Sequence, residues 1–121
     1  KFLCRYHVIF CPKYRRKVLV NGIDIRLKEV FSEIAQDHGF AILEMEVMPD
    51  YVHLLIDCNP RYGIMQCVTD LKWGSAHVLN AEYPQLKKKL PSIWTRSCFV
   101  ATVGSVSLEN VKQYIVSQKG K

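Results

Sequence analysis

Two hydrophobic rhythms alternate along the chain, one with the period of a strand and one with the period of a helix. From Leu3 to Cys11, Tyr6, Val8 and Phe10 alternate with His7 and Ile9, which predicts a first strand ended by Pro12. Ile23, Leu27, Val30, Phe31, Ile34 and Ala35 then follow helical spacing, with Asn21 or Asp24 as the expected cap and Gly39 past the end. Alternation returns from Phe40 to Val47, with Ala41, Leu43, Met45 and Val47 on one face and Ile42, Glu44, Glu46 and Met48 on the other. Pro49-Asp50 is a turn signal, and the run after it puts Val52, Leu54 and Ile56 on a core face. Tyr51, His53 and Leu55 fall on the opposite face, which we read as the floor of an active site. Asn59-Pro60 is the expected start of a second helix running from about Tyr62 to Ala81 through Ile64, Val68, Leu71, Ser75, Val78 and Leu79. Lys87-Lys88-Lys89 reads as a solvated connection. Ser97 to Val103 predicts a fourth strand, with Phe99, Ala101 and Val103 opposite Cys98, Val100 and Thr102. After a loop at Gly104-Ser105-Val106, Ser107 is placed to cap a last helix over about residues 107–119 that carries Glu109 in its first turn.

The order is β-α-β-β-α-β-α. Its first six elements predict an α+β fold of the ferredoxin-like βαββαβ plan, with a four-stranded antiparallel sheet, helices on one face and an added C-terminal helix. At 121 residues the chain makes one domain, residues 1–121, able to bury about two-thirds of its unfolded surface. No apolar run approaches the roughly 18 residues that a membrane span needs. The five cysteines form no C-x-x-C pair and several lie in strand-like runs, so free thiols in a reducing cytoplasm are expected. The chain opens at Lys1 without a Met, so a preceding piece is expected, and no signal peptide is visible.

Charge narrows the choice of partner. Seventeen Lys and Arg against eleven Asp and Glu give a net +6, which favours a polyanion, nucleic acid first. Lys13-Tyr14-Arg15-Arg16-Lys17 packs four cations around one aromatic ring. It reads either as a solvated turn or as a phosphate-gripping loop with a ring for base stacking, and the net charge favours the second. No Gly-rich phosphate cradle is present, so no nucleotide cofactor is expected. His7 reads equally well as a second site histidine or as a hydrogen-bonded structural one. On the last helix Val111, Tyr114, Ile115 and Gln118 share a side, and spacing alone makes Tyr114 an amphipathic core residue.

Several blocks in fixed order change that last reading. Pro12 to Leu19, Met48-Pro49-Asp50 with Val52 to Leu55, Leu71-Lys72 with Gly74-Ser75, Trp94-Thr95-Arg96, Phe99 to Val106, and Lys112 to Ile115 with Gln118 together resemble the single-tyrosine HUH transposases of the insertion-sequence-200 kind. The resemblance implies a transposase that binds the hairpin ends of a transposable element as single-stranded DNA and cleaves and rejoins them. Tyr114 would be the nucleophile, left joined to a DNA 5′-phosphate. Two histidines flanking an apolar residue, with a glutamine from the tyrosine helix, would hold Mg²⁺ or Mn²⁺; His53 and Gln118 match the second histidine and the glutamine. Lys13, Tyr14, Arg15, Arg16, Lys17, Lys72 and Arg96 would contact the DNA. The family is homodimeric, so the last helix is expected to be mobile or exchanged between subunits.

One departure matters. Tyr51 stands where the family has its first histidine, and a neutral phenol, with a pKa near 10, is a poor ligand for a hard divalent ion. Either the ion is held through His53, Gln118, water and phosphate, with Glu46 or Asp50 as substitutes, or cleavage is lost and a hairpin-binding module remains. A metal-free endoribonuclease on the same plan is a third reading. It would cut RNA in EDTA and leave no covalent adduct.

Overall fold

The computed structural model describes residues 4–104 and 108–121. Its elements are β1 (Cys4–Phe10), α1 (Ile23–His38), β2 (Ala41–Met48), β3 (Tyr51–Cys58), α2 (Ile64–Glu82), α3 (Gln85–Lys89), β4 (Phe99–Thr102) and α4 (Leu108–Ser117). The strands form one sheet in the order β2-β3-β1-β4, every pair antiparallel, as the ferredoxin-like plan requires. β2 and β3 meet at Met48 opposite Tyr51, so Pro49-Asp50 is the expected tight turn.

Alternation decides which side each strand buries. Val8, Phe10, Val52, Leu54 and Ile56 join Leu27, Phe31, Val68 and Leu71 in one core, which places α1 and α2 on the same face of the sheet. Each such side chain, fully buried, stabilises the fold by about 1.5–3 kcal/mol. Trp94 closes this core, with its ring edge-on to Phe10 at 4.8 Å and its indole N–H donating to the buried Ser75 Oγ at 2.9 Å. Gly74 lets the two helices approach closely: a Cβ there would stand 2.7 Å from Ile34 Cδ1.

Four local expectations are corrected. Asn21 has φ 57° and makes no side-chain cap, so Gly22 precedes α1 and Asp24 lies inside its first turn. The Asn59 side chain instead accepts from the Arg61 N–H at 2.8 Å, closing a turn of its own loop, so α2 begins only after Gly63. A register shift between Ile42 and Glu44 breaks the alternation of β2. Ile42, Met45 and Val47 consequently pack on the core, while Leu43 is exposed. Lys87-Lys88-Lys89 forms the last turn of α3, where cations suit the helix dipole and Leu86 anchors the segment inside. The expected cap Ser107 lies outside the described residues.

Among the described residues, the second face of the sheet has no long helix of the core against it. Ile9 on the inner strand β1 is the partner of Phe99 on the edge strand β4, and the Phe99 ring meets the Tyr114 ring of α4 at 5.8 Å. His53 and His7 lie on this same face.

Candidate functional site

The centre of the open face is built by β1 and β3. Their register sets His53 opposite Ile9 and His7 opposite Leu55, so the two histidines are diagonal neighbours on one side of the sheet. Their rings are 5.2 Å apart between centroids, and His7 Nδ1 lies 3.0 Å from His53 Nε2. Burial, helped by the neighbouring His7, lowers the His53 pKa, with Glu46 and Glu44 pulling the other way. A lowered value leaves the His53 imidazole neutral at pH 7, with a lone pair to offer. Glu46 faces His53 across the β2–β3 ladder, its carboxylate 3.9 Å from Nδ1, too far for a hydrogen bond. Burial, then Glu46 and Asp50, raises the Tyr51 pKa, so its phenol stays protonated.

A second group of side chains gathers where the chain enters β4. Ser97 Oγ donates to Gln118 Oε1 at 2.8 Å and lies 3.1 Å from the Tyr114 hydroxyl. A serine hydroxyl has one proton, so with that proton on Gln118 the Tyr114 phenol is the donor to Ser97. Burial pushes the Tyr114 pKa up to about 12. Gln118 is buried. Lys72 braces the segment from α2, its ammonium donating to the carbonyls of Thr95 at 2.8 Å and Ser97 at 2.7 Å. Burial among these groups lowers the Lys72 pKa.

The basic loop borders this second group. Pro12 bridges to Trp94, Lys13 N–H donates to Ile93 O at 2.8 Å, and Thr95 N–H donates to Cys11 O at 3.1 Å. Residues 13–15 make one 3-10 turn in which Tyr14 (φ 60°) and Arg15 (φ 52°) adopt the left-handed conformation that side chains other than glycine rarely take. Arg15 is tied twice, by an ion pair with Asp50 at 3.3 Å and by donation to Ile115 O of α4 at 3.1 Å. Tyr14, Arg16, Lys17 and Arg96 are exposed, and the Lys13 ammonium sits 5.4 Å over the Tyr14 ring.

The residues singled out from sequence therefore fall into two groups. His53 joins His7, and Tyr114 joins Gln118 on Ser97. Among the described residues no hydrogen bond links His53 to Tyr114 or Gln118, and no cluster of three or more His, Cys, Asp or Glu forms a ready-made metal cage. Asp50, considered as a substitute ligand, is held by Arg15. Lys72 and Arg15, expected on DNA, spend their charge inside the chain. Sequence reasoning missed Ser97; the nearby Trp94-Thr95-Arg96 block was the only local signal.

The chain is 41% identical over 118 residues to the ISDra2 transposase TnpA of Deinococcus radiodurans, covering 96% of this chain and 84% of that protein. It is 28% identical over 117 residues to the transposase for insertion sequence element IS200 of Salmonella typhimurium, covering 95% of this chain and 76% of the relative. A crystal structure of a candidate transposase from Deinococcus radiodurans superposes with a TM-score of 0.91 at 36% identity, covering 100% of this chain and 94% of that one. A REP-associated tyrosine transposase bound to a REP hairpin shares the fold, with a TM-score of 0.62 at 13% identity over 95% of this chain and 65% of that one. The family model described as "Transposase IS200 like" matches residues 1–118. The chain belongs to the IS200-like transposase family.

Proposed function

We propose that this transposase binds the hairpin ends of its element as single-stranded DNA and cleaves and rejoins them through Tyr114. The observation that carries the reading is the pairing of Tyr114 with Gln118, one helical turn apart and fastened to the same Ser97 hydroxyl. A phenol and an amide fixed on one helix travel together, as a nucleophile and a ligand must if both serve one phosphate. In the step, the Tyr114 oxygen attacks the scissile phosphorus as its proton leaves. The bond to the DNA 3′-oxygen breaks, and that oxygen departs as a hydroxyl. The tyrosyl 5′-phosphate keeps a phosphodiester, so a second 3′-hydroxyl can rejoin it without a nucleotide.

The docked helix is a resting arrangement in this reading. A phenol whose pKa is raised to about 12 by burial is a weak nucleophile at neutral pH. Release from Ser97, or delivery into the site of a second subunit in a homodimer, brings Tyr114 to the open face that bears His53. Bound there, Mg²⁺ or Mn²⁺ would polarise the phosphate and steady the charge that builds on its oxygens. His53 is the chain's fixed donor toward that ion, and Gln118 arrives with the helix. Tyr14, Arg16, Lys17 and Arg96 are the exposed groups for phosphates and bases. No described helix is long and apolar enough to cross a membrane, and we place the activity in the cytoplasm.

The test is a denaturing gel of the full chain incubated with hairpin-bearing single-stranded DNA and Mn²⁺. A covalent adduct is expected, absent with Tyr114→Phe. A second reading, a binding module without cleavage, is favoured by the protonated Tyr51 at the first histidine position. It predicts salt-sensitive hairpin binding, no adduct in the wild type, and binding unaltered by Tyr114→Phe.

A further inference from the structure

The open face holds an imidazole that the family resemblance does not use. We propose that His7 and His53 together seat the divalent cation, with His7 supplying the ligand that Tyr51 does not, and Glu46 positioning His53 from the opposite side. This rests on the metal-assisted reading above and names a donor it lacked.

The first argument is the bite distance. Two ligands at right angles around an ion, each about 2.1 Å from it, stand about 3.0 Å apart. His7 Nδ1 and His53 Nε2 are separated by 3.0 Å. The second is the support beneath them. Both residues lie inside the β1–β3 ladder, paired from Cys4 with Cys58 to Phe10 with Val52, so the bite is set by strands rather than by a loop. The third is the far nitrogen of His53. Its Nδ1 faces Glu46 at 3.9 Å, and closing that gap by about 1 Å makes the carboxylate–imidazole bond that orients metal-bound histidines. Two imidazoles leave the remaining positions to water, to Gln118 and to the DNA phosphate. Divalent ions at phosphoryl-transfer sites commonly keep such an open shell. The competing account is a plain imidazole–imidazole hydrogen bond, one ring donating and the other accepting, with the ion held elsewhere.

The two accounts separate in metal binding without DNA. Mn²⁺ titrated into the full chain and followed by its free-ion paramagnetic resonance signal gives the affinity. Imidazole NMR shows which of the four histidines lie near the ion. On the proposal, substoichiometric Mn²⁺ enhances the relaxation of the His7 and His53 rings to about the same degree, and that of His38 and His77 far less. His7→Ala weakens Mn²⁺ at least about tenfold, and Glu46→Gln weakens it by about tenfold or less. Tyr51→Phe leaves the affinity as it was. A relaxation enhancement many-fold smaller at His7 than at His53, unchanged affinity in His7→Ala, or no Mn²⁺ binding by the wild type overturns it. The wild-type spectra carry the test even if His7→Ala misfolds. The nicking reading fails separately: a wild type that binds Mn²⁺ through both rings but forms no DNA adduct keeps the seat and loses the chemistry. An adduct that forms normally in His7→Ala with unchanged Mn²⁺ affinity does the reverse.

Discussion

The histidine pair and the tyrosine dock are both small polar clusters on one domain, yet they are built differently. His7 and His53 belong to the two central strands, where backbone ladders on either side fix each residue's position. Tyr114 belongs to α4 and Gln118 directly follows it, and side chains that tie this segment to the rest include Ser97, the Phe99 ring and Arg15 on the Ile115 carbonyl. Hydrogen bonds of this kind are worth about 1 kcal/mol each. A whole strand ladder opens only with the fold, whereas a helix held by a few such bonds can leave alone. In the proposed function, one half of the site is foundation and the other is cargo.

The most severe way to break the comparison is to remove one reactive group from each half. Tyr114→Phe is expected to abolish the DNA adduct while Mn²⁺ binding stays intact, and His53→Ala to do the opposite to Mn²⁺ while α4 remains docked. Gel and titration on the same preparations check both. Next comes stability. Leu54→Ala, in the sheet beneath the histidines, should cost about 2–5 kcal/mol in denaturant unfolding. Ser97→Ala should cost only about 1–2 kcal/mol globally while making α4 measurably easier to cut by protease.

A pH titration sharpens the contrast further. The docked Tyr114 has its pKa raised from 10.0 to about 12, so docking favours the protonated phenol. Its contribution is complete below pH 10 and is lost as pH climbs from about 10 to about 12. The ultraviolet ionisation difference between wild type and Tyr114→Phe should therefore be centred near 12, and a centre near 10 would mean that the dock is not populated. The smallest effect concerns the loop. Arg16→Ala should lower the salt slope of hairpin binding by about one ion. Arg15→Ala should instead loosen α4, because its guanidinium is spent on Asp50 and Ile115.

Much of the foundation was legible in the sequence and little of the cargo's resting place was. Strict alternation in Val52-His53-Leu54-Leu55-Ile56 assigns His53 to the face opposite the core, and burial follows that pattern residue by residue. The same logic misplaced Ile42 and Leu43, because a bulge shifts the register without any residue type that announces it. The expected cap at Asn59 fails for a related reason, because its side chain serves a local turn with Arg61 instead, while Asn21 is left-handed and leaves the N-cap position to Gly22. The sequence alone leaves His7 open between its two readings, since its meeting with His53 depends on the register of two strands far apart in sequence. Ser97 was invisible for a tertiary reason. Its role exists only once Lys72 holds its carbonyl and α4 brings Tyr114 and Gln118 to its hydroxyl. Helical spacing pairs Tyr114 with Gln118, the resemblance gives the pair its roles, and the structure adds where it rests.

The central claim is that the phenol of Tyr114 becomes the DNA-linked atom. Full-length protein reacted with a hairpin-bearing single strand in Mn²⁺, digested with trypsin and nuclease, and read by tandem mass spectrometry tests it directly. The account predicts a nucleotide 5′-phosphate on the peptide Gln113 to Lys119, localised to Tyr114. A modification on any other residue, or strand cleavage with every tyrosine unmodified, would contradict it.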